Sequence, residues 1–311
     1  MTRLVVRRLA WTAIVVWFVV SATFAVTFLL PADPARAMLG PHADPATVLR
    51  LRHKMCLDRP FFGQYACFVG KLVRGDLGHS FQTGESIARL LAQRAGPTAM
   101  LALGAIGMQV MVGVSLGVYA TVGRRRSAQL VSSVVTWLAQ GAPTFVVGSL
   151  LMYFLAYRLD LFPVSGYGEP GWDRLWHLCL PAMTLMGSGM AVYARVMKVE
   201  LSDALSEDYA RTARAKGLSE AQVTTRHALR NALLPVVTMV GMDLGVLMGG
   251  AVVTEFLFQW PGLGREAVLG ILNLDLPVVL GVVLVSSVAV AVMNLLVDLA
   301  YVFLDPRVRV E

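Results

Sequence analysis

Charge is scarce in this 311-residue chain: Asp, Glu, Lys and Arg make up 15% of it, against about 25% in ordinary globular proteins. So little polar surface cannot clothe a water-soluble body of this size. Cysteine is scarce too, with three residues, and no Cys/His spacing has the form of a zinc or iron–sulfur site. The phosphate-cradling run G-x-x-x-x-G-K-[ST] is missing. Gly70-Lys71-Leu72 fails that pattern, so the chain does not hold ATP in that way. The five histidines (His42, His53, His79, His177, His227) fall in loops or at the ends of apolar runs, which argues against an intramembrane serine–histidine enzyme. The low hydrophobicity that marks disorder is also lacking. Hydrophobic residues are 56% of the chain and the mean hydropathy is +0.64. A polytopic membrane protein is the class left. The net charge of +7 is spread between apolar runs, with no soluble basic domain of the kind that binds nucleic acid.

A helix needs about 20 apolar residues to cross the hydrocarbon core. Six stretches qualify: 9–30, 97–122, 130–157, 175–194, 234–256 and 276–304. The last two carry isolated acids, Asp243 and Glu255 in one and Asp298 in the other. An even count places both termini on one side. The N-terminus, the Arg124–Arg126 loop, the segment Arg195–Arg230 and the tail hold 15 of the 27 Lys and Arg in about 60 positions; the other loops hold 12 in about 105. The first set, with both termini, is therefore expected in the cytoplasm. Arg7-Arg8 and Ala35-Arg36-Ala37 give the first run some likeness to a signal peptide. Its 22 residues exceed the ~7–15 of such a region, so it is read as a retained span.

The outer segment 31–96 is the largest piece outside the spans, with Pro, Gly and charge alternating as in short helices joined by turns. It holds Cys56 and Cys67 on the oxidising side, where a disulfide is permitted and two free thiols are the plainer alternative. Cys179 is read as packing within the fourth span. The inner segment 195–233 contains SEDYARTARAKG followed by LSEAQVTTRHALRNALLP. The first part reads as a short helix closed by Gly217, a position that calls for positive φ. Ser219, with Gln222 three residues on, reads as the capping box of a second helix. Helix–Gly–helix is a stiff elbow. Ala210, Ala213 and Ala215 would let a partner come close, and Arg211, Arg214 and Lys216 would give it charge. A membrane-surface helix held by acidic lipid fits the same residues. Between the last two spans, FQWPGLGREAVLGILNLDLP is too polar and broken to cross; Gly264–Leu272 is expected as an amphipathic helix along the outer surface.

Ionisable groups inside spans are costly and face a cavity or a partner. Counting ~1.5 Å per residue, Asp243 lies about 13 Å past Leu234 and Asp298 about 9 Å before Leu304. With Glu255 they are candidates for a pathway lining or gate; the structural alternative is an interhelical bond to a neighbour such as Asn294, or to a helix terminus. Glu255 lies near the outer end, where water is expected to reach it. In the second span, Gly113 and Gly117 form a small-xxx-small pair suited to close packing, and Pro143 and Pro181 are expected to kink the third and fourth. Asp243 and Asp298 also admit a proton-coupled secondary transporter, though no inverted repeat shows in the hydropathy. They admit an intramembrane aspartyl protease, but Gly241-Met242-Asp243 misses the G-x-G-D run of such enzymes. A scaffold without transport is a third alternative.

Several motifs together resemble one family. LLPADP (Leu29–Pro34), CLDRP (Cys56–Pro60), RGDLGHS (Arg74–Ser80), FPVSGY (Phe162–Tyr167), HLCLPAMTL (His177–Leu185), TEFLFQWPGLGR (Thr254–Arg265) and DLAYVFLDPRVR (Asp298–Arg309) are similar, in order and almost end to end, to the membrane permease subunits of bacterial ABC importers for dipeptides, oligopeptides and nickel. DYARTARAKG (Asp208–Gly217) resembles the cytoplasmic EAA loop, with Arg211 in place of its leading acid. The main departure is Cys56 where Gly is usual, beside which Cys67 makes a lineage-specific disulfide plausible.

The resemblance implies an all-α, type I importer-like permease of six transmembrane helices with a folded extracytoplasmic loop after the first. It implies that Asp208, Tyr209, Arg211, Thr212, Ala213, Lys216 and Gly217 dock into a groove on an ATP-binding subunit. The implied partners are a second homologous permease, two ATP-binding subunits or domains, an extracytoplasmic substrate-binding protein and membrane lipid. No cofactor is expected in this chain; ATP and Mg would sit in the partner subunits. The implied function is half of an alternating-access pathway for peptides in the bacterial inner membrane.

Overall fold

The computed structural model describes residues 2–29, 34–39, 44–123, 134 and 141–304. The Arg124–Arg126 loop, most of the first part of the expected third span and the tail beyond Leu304 lie outside them. Among the described residues the elements are helices: α1 (Thr2–Leu29), α2 (Pro34–Leu39), α3 (Pro45–Lys54), α4 (Phe61–Val73), α5 (Ile87–Val122), α6 (Thr144–Arg158), α7 (Trp172–Ser206), α8 (Asp208–Ala215), α9 (Glu220–Met248), α10 (Val252–Leu257), α11 (Leu263–Leu272) and α12 (Leu276–Leu304). Four of them (α1, α5, α9 and α12) are long and apolar enough to cross a membrane, and α7 makes a fifth if its two bent halves are one span.

The centre of the bundle is the seam between α5 and α7, and glycine makes it close. A Cβ on Gly113 would sit 2.7 Å from the Met190 carbonyl oxygen, and one on Gly117 2.7 Å from that of Ala194. Helix backbones in near contact gain dispersion without help from water. The inner half of α7 then buries Tyr193, Met197 and Leu201 against Ala228, Ala232 and Val236 of α9. At the other end of the bundle, the expected outer end, Ile87 and Leu91 of α5 pack on Leu263 of α11 and on Val278 and Val282 of α12.

Proline acts differently from expectation. Pro143 does not kink a helix; it is the N-cap of α6, with extended backbone (φ −58°, ψ 135°). Pro181 lies inside α7, but the bend of 57° falls between Gly187 and Gly189. There Gln109 of α5 donates from Nε2 to the Leu185 carbonyl at 2.8 Å, and Gly189 leaves room for its side-chain amide. A side chain from a neighbouring helix thus takes a carbonyl at the bend, a recognised cause of kinking.

The expected span 234–256 also divides. Its helix ends at Met248, and Gly250 turns the chain at φ 105°. A Cβ on Gly250 would meet the backbone of Gly264 at 3.2 Å, so the chain folds back on itself and α10 and α11 form a separate outer cap. Glu255 therefore belongs to that cap and not to the span.

Candidate functional site

At the inner end of α7 the chain turns into α8 and back into α9. Gly217 has φ +84°, and nothing lies within 4 Å of where its Cβ would be. Glycine is favoured there by backbone conformation and not by crowding. Ser219 and Gln222 cap the start of α9 reciprocally, Ser219 Oγ accepting from the Gln222 N–H and Gln222 Oε1 from the Ser219 N–H at 3.0 Å. Arg214 closes the elbow. Its Nη1 donates to the Leu205 carbonyl at 3.0 Å, and its Nε and Nη2 bond Glu220 at 2.8 and 3.3 Å.

The faces of α8 are not distributed as its sequence suggests. Ala210 and Ala213 are buried against Val223, with Leu205 and Leu218 packed beside them. They bring α8 close to its own neighbours, so neither offers a surface to a partner. Arg214 is turned inward in the same way. What faces outward is Asp208, Tyr209, Arg211, Thr212, Ala215 and Lys216. The side chains of Asp208 and Arg211 are 96% and 72% exposed and pair loosely at 3.5 Å.

The acids read as membrane-embedded have separate environments. The Tyr193 hydroxyl, on α7, donates to Asp243 Oδ2 at 2.6 Å and joins α7 to α9. Asn294 Oδ1 lies instead beside Gly245, 3.1 Å from where a Cβ there would be. Asp298 is on α12, with its side chain outside the described residues. Glu255 was expected within reach of water and is 0% exposed. Its Oε1 accepts from Thr98 Oγ1 at 2.9 Å and its Oε2 from the Arg265 N–H at 3.0 Å, with the Gly264 N–H bonded as well. These N–H groups open α11, where a helix leaves donors unpaired and favours a negative charge. Thr98 Oγ1 in turn accepts from the Leu263 N–H at 2.8 Å, and Trp260 Nε1 donates to the Pro97 carbonyl at 2.8 Å. The cap is thereby fastened to α5. Reading the sequence missed Thr98, Trp260 and Tyr193; of these, Trp260 alone lies in a run it singled out, TEFLFQWPGLGR. A second clasp, also missed, joins the outer segment to the turn before α12: Ser80 Oγ donates to Asp275, which also accepts from the Phe81 N–H at 3.0 Å.

In the outer segment Cys56 and Cys67 form a disulfide. Cys56 has φ +62°, the left-handed region that glycine enters freely and other residues avoid. That conformation explains why the resembling motif carries Gly at this place. No group of His, Cys, Asp and Glu able to hold a metal is found among the described residues.

Comparison with known proteins agrees from one end of the chain to the other. Residues 113–310 match the family described as binding-protein-dependent transport system inner membrane component, and residues 1–102 match the N-terminal part of such membrane components. A putative peptide permease protein of Brucella ovis is 37% identical over 295 residues, 92% of each chain. The glutathione transport system permease protein GsiC of Escherichia coli (strain K12) is 36% identical over 309 residues, 99% of each chain. Among solved structures, an amino acid ABC transporter has a chain that superposes with a TM-score of 0.53, covering 69% of this chain and 94% of that one. At 15% identity this last likeness speaks for the fold alone. The proton-coupled reading of Asp243 and Asp298 finds no support in these likenesses.

Proposed function

Because the chain belongs to the binding-protein-dependent inner-membrane transport components and is a permease subunit of an ATP-driven ABC importer, we propose that it forms half of a peptide pathway and is driven through α8. The peptide cargo rests on the relatives named for peptides and for glutathione. The other half of the pathway is a second homologous permease. Two ATP-binding subunits or domains hold the nucleotide with Mg and hydrolyse it, and a substrate-binding protein delivers cargo from outside. Both termini are cytoplasmic, on the side richer in Lys and Arg.

The observation that carries this reading is the construction of the elbow. Its outward residues sit on a helix that is itself locked, by Arg214–Glu220, by the Ser219–Gln222 capping box and by the buried Ala210 and Ala213. A displacement of α8 therefore moves the inner half of α7 and the start of α9 together. When the ATP-binding subunits close, Tyr209 and Arg211 carry the motion into these two helices, and the pathway turns outward. Return of those subunits to the open form turns it inward again. Nucleotide drives the cycle only through its different affinity for the two states.

A photo-crosslinking side chain at Tyr209 tests this, in cells expressing all subunits. The expected product joins this chain to a P-loop ATPase, and a C-terminal tag brings down that ATPase with a second six-span protein. Crosslinks to lipid alone, from a chain that extracts without companions under several gentle detergents, would make the elbow a membrane-surface helix.

A further inference from the structure

The outer segment reads as a soluble loop, yet α4 is not built for water. Its residues fall on three faces. Phe61, Tyr65, Phe68 and Leu72 form one flank, which meets α1: the rings of Phe61, Tyr65 and Phe68 lie 5.4, 5.2 and 5.6 Å from that of Phe24. Gln64, Cys67 and Lys71 form a second face, tied to the rest of the segment. Gln64 Nε2 donates to the Leu57 and Arg59 carbonyls at 3.2 and 2.9 Å, and Cys67 is bonded to Cys56. Opposite that face runs a stripe spaced four, three and four residues apart: Phe62, Ala66, Val69 and Val73. Phe62 and Val73 are each 82% exposed, and no residue of the helix is buried.

The position of α4 along α1 says what covers this stripe. The stretch of α1 long and apolar enough to cross a membrane runs from Val6 to Val26. Tyr65, in the middle of α4, shares a 2.7 Å hydrogen bond with Ser21 Oγ. At ~1.5 Å per residue, Ser21 lies about 8 Å inside Val26, and Phe24 about 3 Å inside it. The helix is thus held below the level at which α1 leaves the apolar layer. An interfacial helix rests with its apolar face about 5–10 Å into the headgroup–acyl boundary, which is the same depth. Exposed Arg59 precedes the helix and exposed Arg74 caps it; cations at the ends of such a helix reach the headgroups.

We infer that α4 is embedded in the outer leaflet, with Phe62, Ala66, Val69 and Val73 on the acyl chains and Gln64, Cys67 and Lys71 toward water. The disulfide and the Gln64 bonds fasten its polar face to the segment above it. This assignment is independent of α8 and of any ATP-binding subunit.

The test uses the intact importer in liposomes containing phosphatidylcholine with a diazirine on its acyl chain. Adducts are mapped by mass spectrometry, alongside hydroxyl-radical footprinting of the same sample. The expected result is several-fold more lipid adduct on Phe62, Val69 and Val73 than on Gln64 and Lys71, with Phe62 protected from the radical. Radical oxidation of Phe62 without lipid adduct would place the stripe in water. Absence of both, while exposed Trp17 and Phe18 of α1 take lipid, would place it against another protein. Either outcome overturns the inference.

Discussion

The two ends of this permease subunit are built on opposite plans. At the outer end an acid is enclosed: Glu255 is fully buried, and its oxygens are spent on Thr98 and on the N–H groups that open α11. At the inner end Asp208 and Arg211 of α8 are turned out into solvent and pair loosely with each other at 3.5 Å. Both ends are rigid, but for different reasons. The outer cap is stiff because polar groups inside it have no other partner. The elbow is stiff because small residues, a capping box and Arg214 shape its backbone, which leaves Tyr209 and Arg211 turned outward. An acid near the outer end of an apolar run is therefore not by itself a sign of a pathway.

Breaking the enclosed end should have the largest effect. Glu255→Ala leaves at least two buried donors without an acceptor, a loss on the order of 3 kcal/mol or more. The purified chain should melt well below the parent and insert in lower yield. Glu255→Gln keeps one oxygen acceptor and should fall between the two. A normal Tm in Glu255→Ala, with uptake abolished, would move Glu255 from fastening to transport.

The open end should break in function before it breaks in stability. Gly217 has room for a side chain but sits at φ +84°, which costs most residues about 1–2 kcal/mol. A β-branched residue is least able to take that conformation, and Asn among the best. Gly217→Val should abolish uptake while membrane insertion persists, and Gly217→Asn should keep most of it. Equal loss in both variants would mean that α8 meets its partner at residue 217 itself. Equal retention would remove the elbow from the coupling path.

How much of this was legible beforehand follows the range of the interactions. Helices come from the local run of apolar residues, so the long elements were readable, as were the Gly217 turn and the Ser219 cap, which depend on neighbours in sequence. That α5 is suited to close packing was readable too, from the spacing of Gly113 and Gly117, though not that its neighbour is α7. The cap was not. Thr98 and Glu255 are 157 positions apart, and nothing local at either announces the other. The faces of α8 were misread because alanine and arginine carry no direction in a sequence. Ala213 could have faced a partner, and only the packing of Val223 shows that it does not. Resemblance located the TEFLFQWPGLGR run without revealing that Glu255 and Gly262 are in near contact, where a Cβ on Gly262 would strike the carboxyl group.

Two arginines on one short helix give the smallest and sharpest comparison. Arg214 bonds the Leu205 carbonyl and Glu220, so Arg214→Ala removes ties inside the elbow. Because the pair is partly exposed, the loss should be about 1 kcal/mol at most. It should appear as a lower Tm of this chain purified alone. Arg211 is exposed and holds only Asp208 at 3.5 Å, a pair of the kind that contributes little to stability. Arg211→Ala should leave that Tm unchanged and instead weaken retention of the ATP-binding subunits when the complex is washed in salt, since an exposed charge acts on a partner through screened attraction. The two variants thus separate the side of α8 that holds the elbow together from the side that is offered outward. If Arg211→Ala lowers the Tm of the isolated chain and Arg214→Ala loosens the complex instead, the two faces are interchanged, and α8 meets its partner through the surface that packs here on α7 and α9.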